Sequence, residues 1–233
     1  MWLGIFLTIL IVACAGGAFR YLVAYWIVDV CERQVNSLIY FKFVGLSICA
    51  ALGVSLLCQN VIDQVLLLQY MVLLIMLSLI DGETTYIPNI LVMPMVAIGV
   101  LGNVCGSFYD TAIFKSGTFS IVSAAAGYGV FWLVNQLYKI CADGRDGMGM
   151  GDAKLMAAIC SLSGIGAFPF VSFVAACSFL MAYGIRSVQS SRAQEQEQAF
   201  GPHLAIGASL YFCADFFLWP GHVNGMVLGL FYF

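Results

Sequence analysis

The sequence predicts an all-α integral membrane protein, a bundle of about eight transmembrane helices. Three observations carry this. The 233 residues are 62% hydrophobic and 9% charged, against about 25% charged in a soluble domain. A core hidden from water does not need that much apolar sequence, but a surface facing lipid does. The apolar residues also fall in helix-length runs with short polar breaks. Finally, once those runs are taken as alternating spans, eight of the nine Lys and Arg residues collect on one side. The chain reads as a single polytopic unit over residues 1–233, with no internal repeat and no separate soluble domain.

A hydrocarbon core of about 30 Å takes about 20 residues of helix. On that measure the first span covers about residues 2–28, with Arg20 near one end. Ile11-Val12-Ala13-Cys14 looks like a lipoprotein cleavage box. A secretory signal, however, carries a positive n-region. Residues 1–19 hold no Lys or Arg, so the segment is expected to remain as the first helix. The second span covers about 43–58 and the third about 65–80, stopping at Asp81. The fourth covers about 89–106 and the fifth about 118–140.

The next apolar stretch, 153–188, is too long for one span. It is punctuated by Ser163-Gly164-Ile165-Gly166 and Pro169, and Gly and Pro clusters mark turns. It divides into a short sixth helix, 153–163, and a seventh, 168–187. The eighth covers about 203–219, and the apolar tail 226–233 is too short to cross.

Arg20, Arg33, Lys42, Lys139, Arg145, Lys154, Arg186 and Arg192 share one side, and Lys115 stands on the other. The rule that cytoplasmic loops are rich in Lys and Arg makes the first side cytoplasmic. Both termini then face outward. The cytoplasmic loops are about 29–42, 81–88, 141–151 and 189–202. The last of these contains the polar run 190–198, which reads as a linker.

The remaining composition excludes several classes. No basic stretch is long enough to suggest nucleic acid as a partner. The nine cysteines include no Cys-x-x-Cys pair, and most lie in apolar runs, where cysteine acts as a small hydrophobe. Zinc sites want tighter spacing in polar loops. His203 and His222 form no cluster with each other and a carboxylate, so no metal is expected.

Acidic residues at membrane level are costly and mark function. Of the twelve Asp and Glu, Asp81 closes the third helix and Asp152 opens the sixth, 71 residues apart but at one cytoplasmic depth. Two carboxylates sharing a site cannot both ionise freely, so the pair holds one proton near neutral pH. One member then acts as base on a water and the other as acid toward a carbonyl oxygen, which is aspartyl peptide hydrolysis.

Structural readings compete with this. Asp is a favoured helix N-cap, which Asp152 would also satisfy. Asp81 at a helix C-terminus is opposed by the helix dipole, though a solvated interface residue would fit as well. Lys154 suits a headgroup anchor. Glu83, Asp143 and Asp146 suit solvated loop charges, and His203 a helix terminus. Gly144, Gly147, Gly149 and Gly151 precede Asp152. They offer positive φ and close backbone approach, so an extended peptide can lie alongside. Pro88 fits the first turn of the fourth helix, and Asn89 beside it is placed to bind backbone.

Two patterns together resemble the prepilin leader peptidase family, membrane aspartyl proteases with a Gly-x-Gly-Asp motif. The first is Leu79-Ile80-Asp81, followed by Pro88-Asn89-Ile90-Leu91 and Pro94. The second is Gly147-Met148-Gly149-Met150-Gly151-Asp152-Ala153-Lys154-Leu155. Phe200-Gly201-Pro202-His203-Leu204-Ala205-Ile206-Gly207 and Gly16-Gly17-Ala18-Phe19 are weaker matches. The resemblance covers nearly the whole chain.

The resemblance implies Asp81 and Asp152 as the catalytic pair, with Gly149, Gly151, Lys154, Pro88 and Asn89 as substrate-binding or supporting residues. It implies cleavage of the short basic leader from type IV prepilin or type II secretion pseudopilin precursors. Cleavage would follow a glycine, at the cytoplasmic face of a bacterial inner membrane, with no cofactor. Longer members of the family carry a cytoplasmic domain after the first helix, with paired Cys-x-x-Cys motifs suited to zinc, and methylate the new N-terminus with S-adenosylmethionine. Here that loop is about 29–42 with the single Cys31. This form is therefore short, zinc is not expected, and S-adenosylmethionine would serve only if the chain methylates.

Two other functions fit parts of the pattern. Presenilin-type Gly-x-Gly-Asp proteases add a Pro-Ala-Leu element where this chain has Pro202-His203-Leu204. An ion transporter or channel would also place acids in a membrane. Transporters, however, hold their sites near the midplane between repeats, and these Asp residues sit at one edge.

Overall fold

The structure, a computed structural model, describes residues 2–30, 37–57, 61–109, 117–141, 149–189 and 198–217. Among these residues there are eight α-helices and no strand. They are α1 (Trp2–Leu22), α2 (Leu38–Leu57), α3 (Val61–Thr84), α4 (Asn89–Tyr109), α5 (Gly117–Cys141), α6 (Met150–Ser163), α7 (Ala167–Gln189) and α8 (Gly201–Phe217). A π-helical turn, Val23–Val30, continues α1.

The helices follow the apolar runs, with ends that differ by a few residues. Backbone polar groups have no water to bond in a bilayer, so each run closes its own hydrogen bonds as helix. α1, α2, α3 and α7 are by themselves long and apolar enough to cross a membrane. Large apolar side chains such as Leu56 (82% exposed), Phe173 and Met181 point outward, which suits lipid and not water. The connection between the first two helices is shorter than 29–42, because helix continues to Val30 and resumes at Leu38.

α3 is the central helix, packed against α1, α2, α4 and α8, and buries Leu67, Leu74, Leu77 and Ile80. α6 is the second inner helix, packed against α4, α5, α7 and α8. α4 and α8 therefore flank both α3 and α6. α6 has 14 residues, about 21 Å at 1.5 Å per residue, so it ends inside the bundle. Carbonyls at such an end need donors. Asn103 on α4 donates its side-chain amide to Ser161 O (3.1 Å) and Leu162 O (3.4 Å), and Ser120 on α5 donates to Ser161 O. Gly164 then leaves the helix at φ 84°, a backbone that glycine adopts without strain.

Three sequence expectations change. α3 continues past Ile80, so Asp81 lies within its last turn rather than closing it. The reason is local: Thr84 Oγ1 donates back to Ile80 O (2.8 Å), and Thr85 N–H reaches Asp81 O (2.7 Å). α6 begins at Met150 with Gly149 as its N-cap residue, so Asp152 is neither its opening residue nor its cap. Pro88 stands just before α4, its carbonyl accepting from Leu91 and Val92 N–H, rather than in the first turn.

Residues 1, 31–36, 58–60, 110–116, 142–148, 190–197 and 218–233 lie outside the described residues. They include Cys31, Arg33, Lys115, Asp143, Gly144, Arg145, Asp146, Gly147, Met148, Arg192 and His222.

Candidate active site

The segment between α3 and α4 sets the first carboxylate. Thr85 has φ 56°, a left-handed backbone that glycine usually supplies at a helix end and that is rare for a β-branched residue. Thr84 Oγ1 accepts the Tyr86 N–H (3.2 Å) and so fixes this exit. The chain then passes through Ile87 and Pro88 into α4. Asp81, one turn back, is 3% exposed. Its Oδ2 accepts the backbone N–H of Gly201, the first residue of α8, at 2.9 Å.

The second carboxylate stands on the first turn of α6. Asp152 is 8% exposed, and its own N–H donates to Gly149 O (3.1 Å). Its carboxyl is pushed up to about 7, first by burial and then by the charge of Asp81. Desolvation and a neighbouring like charge both disfavour the ionised form.

The two glycines before Asp152 have different duties. Gly149 has φ −64° and ψ 134°, extended backbone open to any residue, so the positive φ expected of the loop is not needed there. Close approach is needed at Gly151, where an added Cβ would lie 2.8 Å from Ile87 Cβ. Glycine at 151 lets α6 dock on the 85–88 link and brings Asp152 to Asp81.

Asp81 and Asp152 line one open cavity of about 640 Å³, together with Lys139, Lys154, Tyr86 and Phe200. Lys154 Nζ donates to Asn89 Oδ1 at 2.9 Å, so Asn89 on α4 holds a side chain of α6. Pro88 sets the start of α4 without lining the cavity. Glu83 is exposed. His203 is held between α7 and α8 by Ser178 Oγ (2.9 Å) and the edge of Phe179, and it does not line the cavity.

Sequence reasoning missed Lys139, read only as a topological charge, and the Gly201 amide. A basic residue in the last turn of α5 was a signal for the first. A backbone donor leaves none. Among the described residues no three His, Cys, Asp or Glu side chains gather as a metal site. The arrangement offers two buried carboxyls lining one open cavity, with burial and the charge of Asp81 favouring the protonated form of Asp152.

A model of the type IV leader peptidase family matches residues 66–185, which contain both Asp residues and Asn89. A prepilin leader peptidase/N-methyltransferase of Neisseria gonorrhoeae is 34% identical over 146 residues, 63% of this chain and 47% of that protein. The protein so named in Burkholderia pseudomallei (strain K96243) is 34% identical over 151 residues, 64% of this chain and 46% of its own length. The one in Escherichia coli (strain K12) is 30% identical over 166 residues, 71% of this chain and 70% of that protein. The chain spans about half the length of the first two relatives. No solved structure matches it.

Proposed function

The chain belongs to the type IV leader peptidase family, and on that premise we propose that it is a membrane aspartyl endopeptidase acting on prepilin-like or pseudopilin precursors. It removes their leader at the cytoplasmic face of a bacterial inner membrane. One observation carries the reading: Asp81 and Asp152, from different helices, line the same cavity at the end of the bundle. Such a pair hydrolyses a peptide by adding water to the carbonyl, with one carboxyl as base and the other as acid. The side of the membrane follows from the Lys and Arg bias, with Lys139 and Lys154 in the cavity itself.

The open cavity suits an extended segment that leaves an apolar helix in the bilayer while its polar leader lies in water. The hydrolysis calls for no cofactor. Purified protein is expected to hold less than about 0.1 zinc per chain, because a structural zinc takes four ligands and residues 29–42 offer one cysteine. One zinc per chain by metal analysis would contradict this.

The test is leader removal from a pilin precursor of the same organism in detergent, by wild type and by Asp81→Asn and Asp152→Asn. Cleavage by wild type alone, with both variants folded, supports the reading. Near-normal turnover by either variant removes that residue from the mechanism. The mass of the product with S-adenosylmethionine present reads methyl transfer in the same experiment.

A further inference from the structure

We propose that the backbone N–H of Gly201 is a positioning group that divides the labour of the aspartyl pair, holding Asp81 as the water-activating carboxylate and leaving Asp152 to carry the shared proton. The inference rests on the peptidase reading and deepens it.

The geometry breaks the symmetry of the pair. The Gly201 N–H reaches Asp81 Oδ2 at 2.9 Å in a buried setting. A hydrogen bond to a carboxylate favours its ionised form. Gly201 is also the first residue of α8, so its N–H is one of the four that a helix leaves unpaired. Among the described residues, Asp152 receives no such donor at its carboxyl. Asp152 does stand in the first turn of α6, where the dipole favours an anion, while Asp81 stands at the opposed end of α3. A direct charge-assisted hydrogen bond outweighs that end effect.

The close approach requires glycine. A Cβ on Gly201 would lie 2.5 Å from Asp81 Oδ2 and 3.0 Å from its Cγ, so any side chain would displace the carboxylate. The other charged and titratable groups line the shared cavity or turn away from it. Lys139 from α5, Lys154 from α6 and Tyr86 from the link after α3 line the cavity that both carboxyls share. His203 of α8 is turned to Ser178, and α4 contributes the neutral Asn89.

The step balances. Asp81 takes a proton from water as the water oxygen bonds to the scissile carbon, and Asp152 gives its proton to the carbonyl oxygen. When the resulting gem-diol collapses, the C–N bond breaks and the amine takes the proton held by Asp81. Asp152 recovers one from a gem-diol hydroxyl, and the pair is restored.

The experiment replaces the Gly201 N–H by oxygen, a backbone ester that adds no bulk, and compares it with Gly201→Ala and wild type in precursor cleavage from pH 4 to 9. The expected result is a kcat loss of about a hundredfold in both, the scale of a small misplacement at a reacting group. KM is expected to stay within about threefold, because the interaction is made to the reacting pair and not to bound substrate. The acidic limb moves up by about one pH unit in the ester protein. Gly207→Ala is the structural control: its Cβ would lie 2.7 Å from Val171 O, so it lowers the melting temperature and leaves the limb in place. A folded ester protein with wild-type kcat and an unmoved limb overturns the proposal. Infrared titration of the carboxyl band needs no substrate. An unchanged band in the ester protein overturns the inference, whereas failure of wild type to cleave counts against the peptidase reading.

Discussion

Gly151 lies so close to Ile87 that a Cβ on it would stand 2.8 Å from the Ile87 Cβ. This contact joins the first turn of α6, which carries Asp152, to the link that leaves α3 just after the turn that carries Asp81. Gly151→Ala must push one segment from the other, and a shift near 1 Å at a reacting group costs about a hundredfold. A Cβ on Gly149 would lie 3.5 Å from Asp152 Oδ2, an ordinary contact. Steady-state cleavage is therefore expected to fall about a hundredfold in Gly151→Ala and less than about fivefold in Gly149→Ala. Equal losses would show that close packing at 151 is not what separates the two glycines.

Removing the second carboxylate should stabilise the protein. Asp152 titrates near 7 in the fold against 3.8 for a free side chain. Between those values the unfolded chain has released its proton and the folded one still holds it. Stability therefore falls as pH rises from about 4 to about 7 and then levels off. Asp152→Asn has no such term. Its melting temperature in detergent is expected to exceed that of wild type by at least about 3 °C at pH 8 and to match it near pH 4. A lower melting temperature at pH 8 would mean that the ionised carboxylate holds the fold together.

The same proton sets the basic limb of activity. Hydrolysis needs one proton on the pair, and Asp152 gives it up near pH 7. The rate kcat/KM is expected to fall about tenfold per unit above a midpoint near 7, and the midpoint belongs to the pair as a unit. Cleavage that stays flat to pH 9 would remove Asp152 as the proton carrier.

How much of this could be read from the sequence depended on whether a feature interrupts an apolar run. Asp81 and Asp152 do, and both were found with the helices that hold them. The end of α3 was misplaced because Asp81 through Thr84 stay helical through bonds that hydropathy does not record, such as Thr84 Oγ1 to Ile80 O. Asp152 looked like a cap on residue type alone, but the cap position is fixed by backbone geometry and falls on Gly149. The buried end of α6 depends on Asn103 and Ser120, residues far away in sequence that a local pattern cannot pair. Gly201 was visible only as part of a weak motif, because its role lies in an amide that every residue except proline has.

Lys154 and Asn89 give a test of how the site is tied together. Their hydrogen bond, 2.9 Å at the exposed edge of the cavity, links α6 to α4. An exposed bond of this kind adds about 1 kcal/mol or less to stability, so neither Lys154→Met nor Asn89→Ala should unfold the protein. Their value is positional. If Lys154 acts by fixing α6 against α4, the two residues form one unit, and changes to one unit are not additive. Each single variant is then expected to lose about tenfold in kcat/KM, and the double variant about the same, since the second change removes a bond already broken. A double variant near the product of the two losses would show that Lys154 instead meets the substrate directly, with Asn89 contributing on its own.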